Sequence, residues 1–374
     1  MSNPLVHLQE LGQSPWHDNI RRGLLESGEL ARMIAAGDIT GLTSNPTIFE
    51  QAISQSTDYD ADLERLACEG KSTEEIFDQL STSDIRQACD LFGPLYQRSS
   101  CADGFCSIEV APRHARDTEA TIREARRLWS TIDRPNLMVK IPATREGIPA
   151  IEKSIAAGIN VNVTLIFSLE RYIQVMDAYL RGLEGRIRQS QPVDRIASVA
   201  SFFVSRVDTL VDKLLDDQIA AGKGDRARLE ALKGKAAIAN AKLAYHTFQD
   251  KLASEQWGAL GRHGARPQRP LWASTSTKNP AYPDVYYVEA LVGPETVDTM
   301  PPATLAAYKD HGRPTRTIDR DLADARASMD ALAAAGIDID AVTRKLEEDG
   351  VAAFAKSFDS LLAVIEDRRA CYAA

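Results

Sequence analysis

The chain has 374 residues, 44% of them hydrophobic and 26% charged, which is enough apolar material for one large folded unit or two ordinary ones. Its formal net charge of −9 disfavours nucleic acid and anionic membranes as partners, yet leaves room for a small anion in a local basic pocket. No run approaches the roughly 18 consecutive apolar residues of a membrane helix, and Met1-Ser2-Asn3-Pro4 has no basic segment leading into an apolar core, which predicts a cytoplasmic location.

Short apolar stretches alternate with longer helical ones, the pattern of an α/β fold with a parallel sheet. Strands are predicted near Pro15–Asp18, Ile39–Asn45, Phe105–Val110, Leu137–Ile141, Val161–Ile166, Ile196–Phe203, Pro270–Ser274 and Tyr286–Leu291. Eight such stretches predict a (β/α)8 TIM barrel; the alternative, a doubly wound sheet, lacks its usual glycine fingerprint. Such a barrel needs about 250 residues. The expectation is therefore a single barrel domain over 1–374, with helical insertions at about 50–100, after the second strand, and 210–265, before the seventh, and a helical extension from 301. In that extension Phe354, Phe358, Leu361, Leu362 and Ile365 form a stripe at helical spacing, read as packing against the barrel rather than as a dimer surface.

Strand parity points to a site. Alternate residues of a barrel strand face the lumen. In Asn160-Val161-Asn162-Val163-Thr164-Leu165 the polar residues share one parity and the aliphatic ones the other. Trp16 with Asp18, Thr43 with Asn45, Ser107 with Glu109, and Ser201 with Phe203 repeat the arrangement, while His17 faces away from Asp18. Lys140 stands in the apolar run Asn136-Leu137-Met138-Val139-Lys140-Ile141-Pro142, where Pro142 is expected to end the ladder and leave the lysine at the strand's carboxyl end. Burial disfavours an ammonium, and a lysine so placed becomes a free amine able to attack a carbonyl. A lysine snorkelling from a strand edge is the competing reading.

Other motifs fail. Gly70-Lys71-Ser72 imitates the end of a P-loop, but Arg65 stands where the upstream glycine is required, and the segment follows a helix. Cys68, Cys89, Cys101, Cys106 and Cys371 read as reduced structural thiols, and the six dispersed histidines form no metal-ligand pattern.

Thr43-Ser44-Asn45-Pro46-Thr47, Lys140-Ile141-Pro142-Ala143-Thr144 and Asn160-Val161-Asn162-Val163-Thr164-Leu165-Ile166-Phe167-Ser168 together closely resemble the transaldolase family. Gly12-Gln13-Ser14-Pro15-Trp16-His17-Asp18-Asn19 is similar to the first strand of its longer bacterial members. The resemblance implies a class I aldolase barrel that moves a dihydroxyacetone unit between sugar phosphates, with no metal or organic cofactor. Lys140 matches the Schiff-base lysine, Asp18 the general base, and Glu109 the acid that works through a water, assisted by Thr164. Asn45 and Asn162 are implied to hold substrate hydroxyls. An N-capping aspartate, a Lys140–Glu109 salt bridge and an ordinary lumen hydrogen-bond network are the structural alternatives for these groups. From Ser201-Phe202-Phe203-Val204-Ser205-Arg206, the resemblance assigns Ser201 to a substrate hydroxyl, Phe203 to the site wall and Arg206 to the phosphate.

The seventh strand departs from the family's short form, in which a serine is followed two residues later by a second phosphate arginine. Here Ser274 carries over, Ser276 takes the arginine's place, and Lys278 either supplies the charge or is simply solvated. The implied partners are small sugar phosphates, to a monomer or homodimer. Two rivals remain: a fructose 6-phosphate aldolase, whose members commonly have glutamine at the position of Glu109 and tyrosine at that of Phe203, and a catalytically silent sugar-phosphate-binding barrel.

Overall fold

The structure, a computed structural model, describes residues 3–372; Met1, Ser2, Ala373 and Ala374 lie outside the described residues. Eight parallel strands close into a barrel in sequence order: β1 (Gln13–Asp18), β2 (Gly41–Thr43), β3 (Cys106–Glu109), β4 (Leu137–Pro142), β5 (Val161–Ile166), β6 (Ser198–Phe203), β7 (Arg269–Ala273) and β8 (Thr296–Met300). The outward faces of β4 and β5, with Leu137, Val139, Ile141, Val161 and Val163, are wholly buried beneath the surrounding helices. That burial is why β4 reads as a nearly continuous apolar run, whereas β5 keeps its aliphatic residues on the outward parity alone.

Seven of the eight strands lie where the sequence predicts them, and two details are corrected. Pro142 is the last residue of β4 rather than the residue that stops it. It contributes no N–H, but the ladder resumes at once with Ala143 N donating to Thr164 O at 2.7 Å. The predicted eighth strand, Tyr286–Leu291, is instead a short helix over Tyr286–Ala290, and the true strand is Thr296–Met300. Aromatic and β-branched residues made the first segment look extended. Its tyrosines serve tertiary ends: the Tyr286 hydroxyl reaches Gly234 O at 2.9 Å and that of Tyr287 reaches Asp208 at 3.0 Å. The true strand hides behind its own polarity, because Thr296 and Asp298 face outward yet are fully buried. Groups outside the strand partner them: Gln13 Nε2 donates to Thr296 Oγ1, and Thr275 Oγ1 to Asp298 Oδ1, both at 3.0 Å, while Asp298 Oδ2 has no partner.

The helical insertion after β2 consists of Pro46–Ser54, Asp60–Cys68 and Thr73–Arg98. Gly70-Lys71-Ser72 introduces the last of these. Gly70 adopts a left-handed φ of +74°, and Ser72 with Glu75 forms a reciprocal capping box. The run before β7 folds into helices over Ser205–Ala220, Arg226–Glu230, Ala236–Leu252 and Glu255–Gly261. After β8 come Pro302–His311, Leu322–Ala334 and a 34-residue helix, Ile339–Tyr372. This last helix crosses the carboxyl-end mouth of the barrel. Its Ser357 meets Thr47 at 2.8 Å, its Glu347 pairs with Arg171 at 3.3 Å, and Phe358 packs edge-on against Phe77. The predicted stripe is therefore an intramolecular contact, with Phe354, Phe358, Leu361 and Ile365 buried and Leu362 at its edge.

The opposite end of the lumen is packed as core. Trp16 is fully buried and donates its indole N–H to Asp103 at 2.8 Å, and Met138 is buried on the same floor. Gly41 is β1's partner opposite Trp16, and a Cβ there would lie 2.4 Å from Trp16 Cε2. The missing side chain makes room for the indole. Gly41→Ala is expected to cost about 1–3 kcal/mol by overpacking, read as a lower urea midpoint with an unchanged m-value. A midpoint equal to that of the parent chain would mean that the indole moves aside freely.

Candidate active site

Register carries the key residues into one ring. Glu109 pairs with Lys140 across β3 and β4, and Lys140 with Asn162 across β4 and β5. Three lumen-facing polar side chains therefore stand side by side near the carboxyl ends of adjacent strands. Lys140 Nζ lies 3.3 Å from Glu109 Oε2, and the two side chains are only 6% and 5% exposed. The ammonium also donates to Ser44 O at 3.2 Å. Ser44 is held in turn by its own hydroxyl, which donates to Ser107 O at 2.7 Å. The lysine does not snorkel outward; it points into the lumen.

Asn162 is locked between neighbours. Its Nδ2 donates to Ser107 Oγ at 3.0 Å, and its Oδ1 accepts from Ser201 Oγ at 2.7 Å. Thr164 lies two pairs further along, opposite Pro142, and is fully buried. A bulge follows it: the register shifts between Val163 and Ile166, and Leu165 adopts φ +61°, an uncommon conformation for a branched residue. Strain of this kind concentrates at functional sites. Neither Thr164 Oγ1 nor Glu109 Oε2 has a hydrogen-bond partner within the protein. Both therefore have polar capacity to offer a bound molecule.

Asp18 enters the lumen from the end of β1. Its Oδ1 accepts from Thr43 Oγ1 at 2.6 Å, and Thr43 Oγ1 in turn meets Thr299 Oγ1 at 2.6 Å. Burial pushes the Asp18 carboxyl up, against the opposing pull of Lys140, Thr43, Arg206 and Lys278. Burial likewise pushes Glu109 up, with Lys140 opposing and Asp18 adding to the rise. Two carboxyls inclined to hold protons thus share the lumen with one amine. His17 on the outward face is buried without a charged partner, and burial lowers it to about 4.

Asn45 caps the helix Pro46–Ser54, its Oδ1 accepting from Ile48 N at 3.0 Å. Only its amide donor remains for a ligand. On the other side of the mouth, Phe203 packs on Phe167 at 5.1 Å, and the Arg206 guanidinium sits 5.2 Å above the Phe203 ring. Burial lowers Arg206, opposed by Asp18. Ser274 has φ +56°, and its hydroxyl meets that of Ser205 at 3.0 Å. Lys278 donates to Ser276 Oγ, the serine that replaces the expected arginine, at 2.6 Å. Desolvation and then the Arg206 charge lower Lys278, with Asp18 opposing.

The structure thus brings Asp18, Glu109, Lys140, Asn162, Thr164 and Ser201 into the lumen, and Arg206 close enough for its charge to be felt at Asp18. Sequence reasoning assigned no role to Thr43, Ser44 or Ser107, which hold Asp18, Lys140 and Asn162 in place. The inward parity of Thr43 and Ser107 was the available signal. A cavity of about 250 Å³ opens beside Glu109, Ser44 and Asn45, walled by Phe49, Phe77 and Phe358. Among the described residues no cluster of three or more His, Cys, Asp or Glu side chains has metal-holding geometry.

A family model described as Transaldolase/Fructose-6-phosphate aldolase matches residues 15–365, from β1 into the last helix. The chain belongs to this family. Its relatives named Transaldolase include proteins of Acidothermus cellulolyticus (51% identical, covering 98% of this chain and 96% of the relative), Thermobifida fusca (51%, covering 97% of each) and Trichodesmium erythraeum strain IMS101 (47%, covering 98% of each).

The Asp18 shift has a consequence for stability. A carboxyl whose folded-state pKa is raised costs stability above that pKa, and the cost fades as pH falls through it toward the ordinary value of about 3.9. Asp18→Asn is therefore expected to raise the urea midpoint at neutral pH and to lose the advantage as pH falls through that window. Equal midpoints at neutral pH would remove the argument.

Proposed function

We propose that this chain is a transaldolase whose Lys140 forms a Schiff base with a ketose phosphate. Proteins of that name match it along nearly all of both lengths, and the protein is an enzyme of this kind. The observation that carries the mechanistic reading is the 3.3 Å pairing of Lys140 with Glu109 in a lumen both share with Asp18.

Proton transfer from the ammonium to Glu109 leaves a neutral amine whose lone pair attacks the C2 carbonyl of fructose 6-phosphate. Glu109 then returns the proton through a water, at which Thr164 Oγ1 is free to assist, and expulsion of the C2 oxygen gives the iminium. The iminium draws electrons from the C3–C4 bond as Asp18 takes the proton of the C4 hydroxyl. Glyceraldehyde 3-phosphate leaves, and a dihydroxyacetone enamine stays on Lys140. The enamine carbon then bonds to the aldehyde carbon of erythrose 4-phosphate, Asp18 returns the proton to the new hydroxyl, and hydrolysis of the iminium frees sedoheptulose 7-phosphate. Arg206 and Lys278 receive the phosphate, the first by a planar fork and the second as a point charge. Ser201, Ser274, and the amides of Asn45 and Asn162 face the polyol, and Phe203 closes the wall beneath Arg206.

A fructose 6-phosphate aldolase would use the same lysine and release free dihydroxyacetone. Glu109 and Phe203 favour the transferase, since the aldolases commonly have glutamine and tyrosine there. No described helix is long and apolar enough to cross a membrane. A cytoplasmic location and a monomeric or homodimeric state complete the reading.

The deciding assay is glyceraldehyde 3-phosphate release from fructose 6-phosphate with and without erythrose 4-phosphate. Sustained release only with the acceptor is expected; equal release without it would make the protein an aldolase. Lys140→Met is expected to abolish covalent trapping of the substrate by borohydride, and trapping retained at another lysine would overturn the central assignment. Loss of a charge-assisted contact worth roughly 1.5–3 kcal/mol predicts that Arg206→Ala raises KM for phosphorylated donors by about 10- to 100-fold. An unchanged KM would place the phosphate elsewhere.

The pH profile gives a further test. Thr43 donates to Asp18 and so favours its ionised form. Thr43→Val is expected to move the acid limb of kcat/KM to higher pH, because the base then holds its proton more tightly. A limb that stays in place would mean another group sets it.

A further inference from the structure

We infer that Phe354, on the helix crossing the mouth, keeps water from the enamine and so sets whether the dihydroxyacetone unit is transferred or hydrolysed. The inference rests on the Schiff-base reading above. The Phe354 ring centroid lies 5.8 Å from Lys140 Nζ, and the residue is only 5% exposed. The ring lies on the open, carboxyl end of the barrel, where solvent would otherwise reach the lysine.

The helix is fixed in this position from several sides. One turn before Phe354, Gly350 lies against the bulge of β5 and the Arg206 guanidinium. A Cβ there would stand 2.9 Å from Leu165 Cδ2 and 3.8 Å from Arg206 Nη1. Gly350 therefore lets the helix backbone settle onto the strand end that carries Thr164, and Phe354, four residues later on the same face, falls over Lys140. One turn further, Phe358 rests against Phe77. Glu347 with Arg171, Ser357 with Thr47, and Arg368 with Asp60 at 2.7 Å tie the helix to three different segments of the mouth.

The chemistry offers the enamine two fates. Its carbon electron pair can bond to the acceptor aldehyde, with the proton from Asp18 going to the new hydroxyl. Alternatively it takes a proton from water, after which a water adds at C2 and the C–N bond breaks, giving free dihydroxyacetone and free Lys140. The first of these steps separates the two fates, because the transfer route also ends in hydrolysis of its iminium at C2. An apolar ring over the amine keeps water from protonating the enamine carbon while the acceptor is awaited, without hindering an aldehyde bound from the phosphate side. Phe354 is thus a specificity-determining residue rather than one that moves a proton.

The test uses the full chain with Phe354→Leu, Phe354→Val and Phe354→Ala, measuring glyceraldehyde 3-phosphate release with and without erythrose 4-phosphate. The ratio of acceptor-free to acceptor-dependent release is expected to climb in the order Phe, Leu, Val, Ala, reaching about tenfold above the parent for the smallest side chain as water enters. A flat ratio, whether the rates hold or fall together, would mean the ring only packs the helix and would overturn the inference. Should the alanine variant fail to fold by circular dichroism, the leucine and valine ratios decide alone. Borohydride trapping on the parent chain separates the two failures. Without a trapped Lys140 adduct the Schiff-base reading falls; with the adduct present and the ratio flat, only the role of Phe354 falls.

Discussion

An ammonium and a carboxylate 3.3 Å apart, both nearly removed from water, are the constraint around which this barrel is arranged. Taking each ion out of water costs roughly several kcal/mol, and mutual attraction offsets this only when further hydrogen bonds complete the geometry. Lys140 obtains one from Ser44 O, whereas Glu109 Oε2 obtains none beyond the ion pair. The pair is therefore poor as a structural strut and well suited to exchanging a proton. The fold offsets the cost elsewhere. Trp16 and Met138 close the floor, and aliphatic faces of β4 and β5 sit under the helices. One end of the lumen is core, and the other is chemistry.

Much of this was legible because a barrel strand with one polar and one apolar face announces both the fold and the site. Parity alone separates Asn162 and Thr164 from Val161 and Val163, and it turns Lys140, Glu109 and Asp18 toward one another. Register does the rest for the neighbouring strands, setting Glu109 opposite Lys140 and Lys140 opposite Asn162. The eighth strand broke the rule. Thr296 and Asp298 are polar on the helix-facing side, where only tertiary partners such as Gln13 and Thr275 make polarity tolerable. Local sequence carries no trace of a partner such as Gln13, 283 residues from Thr296. Asn45 illustrates a different blind spot. An asparagine followed by proline is a strong helix-start signal, and half of its side chain is committed to that cap.

The last helix was legible as a helix with an apolar stripe and illegible as a cover. Nothing in the spacing of Phe354 and Phe358 distinguishes a stripe that packs on the outer helices from one laid over the mouth. What places it there is shape: the absent side chain of Gly350 meets the Leu165 bulge, and that bulge exists because β5 shifts register just past Thr164. The strained strand end thus serves twice, aiming Thr164 into the lumen and giving the helix a seat.

The charges at the mouth explain why an acidic protein can host an anion. Arg206 and Lys278 are both disfavoured as cations by desolvation, and Lys278 also by the charge of Arg206. Asp18 gives partial relief to both, yet burial inclines that same carboxyl to hold its proton. On the proposed reading, a dianionic phosphate bound by the two cations would supply the missing countercharge. In doing so it would weaken the pull of both cations on Asp18 and strengthen that carboxyl as a base. If Asp18 is the base, as proposed, substrate binding and base strength would then be coupled through the same electrostatic field, with the phosphate, remote from the bond being broken, readying the group that removes the proton.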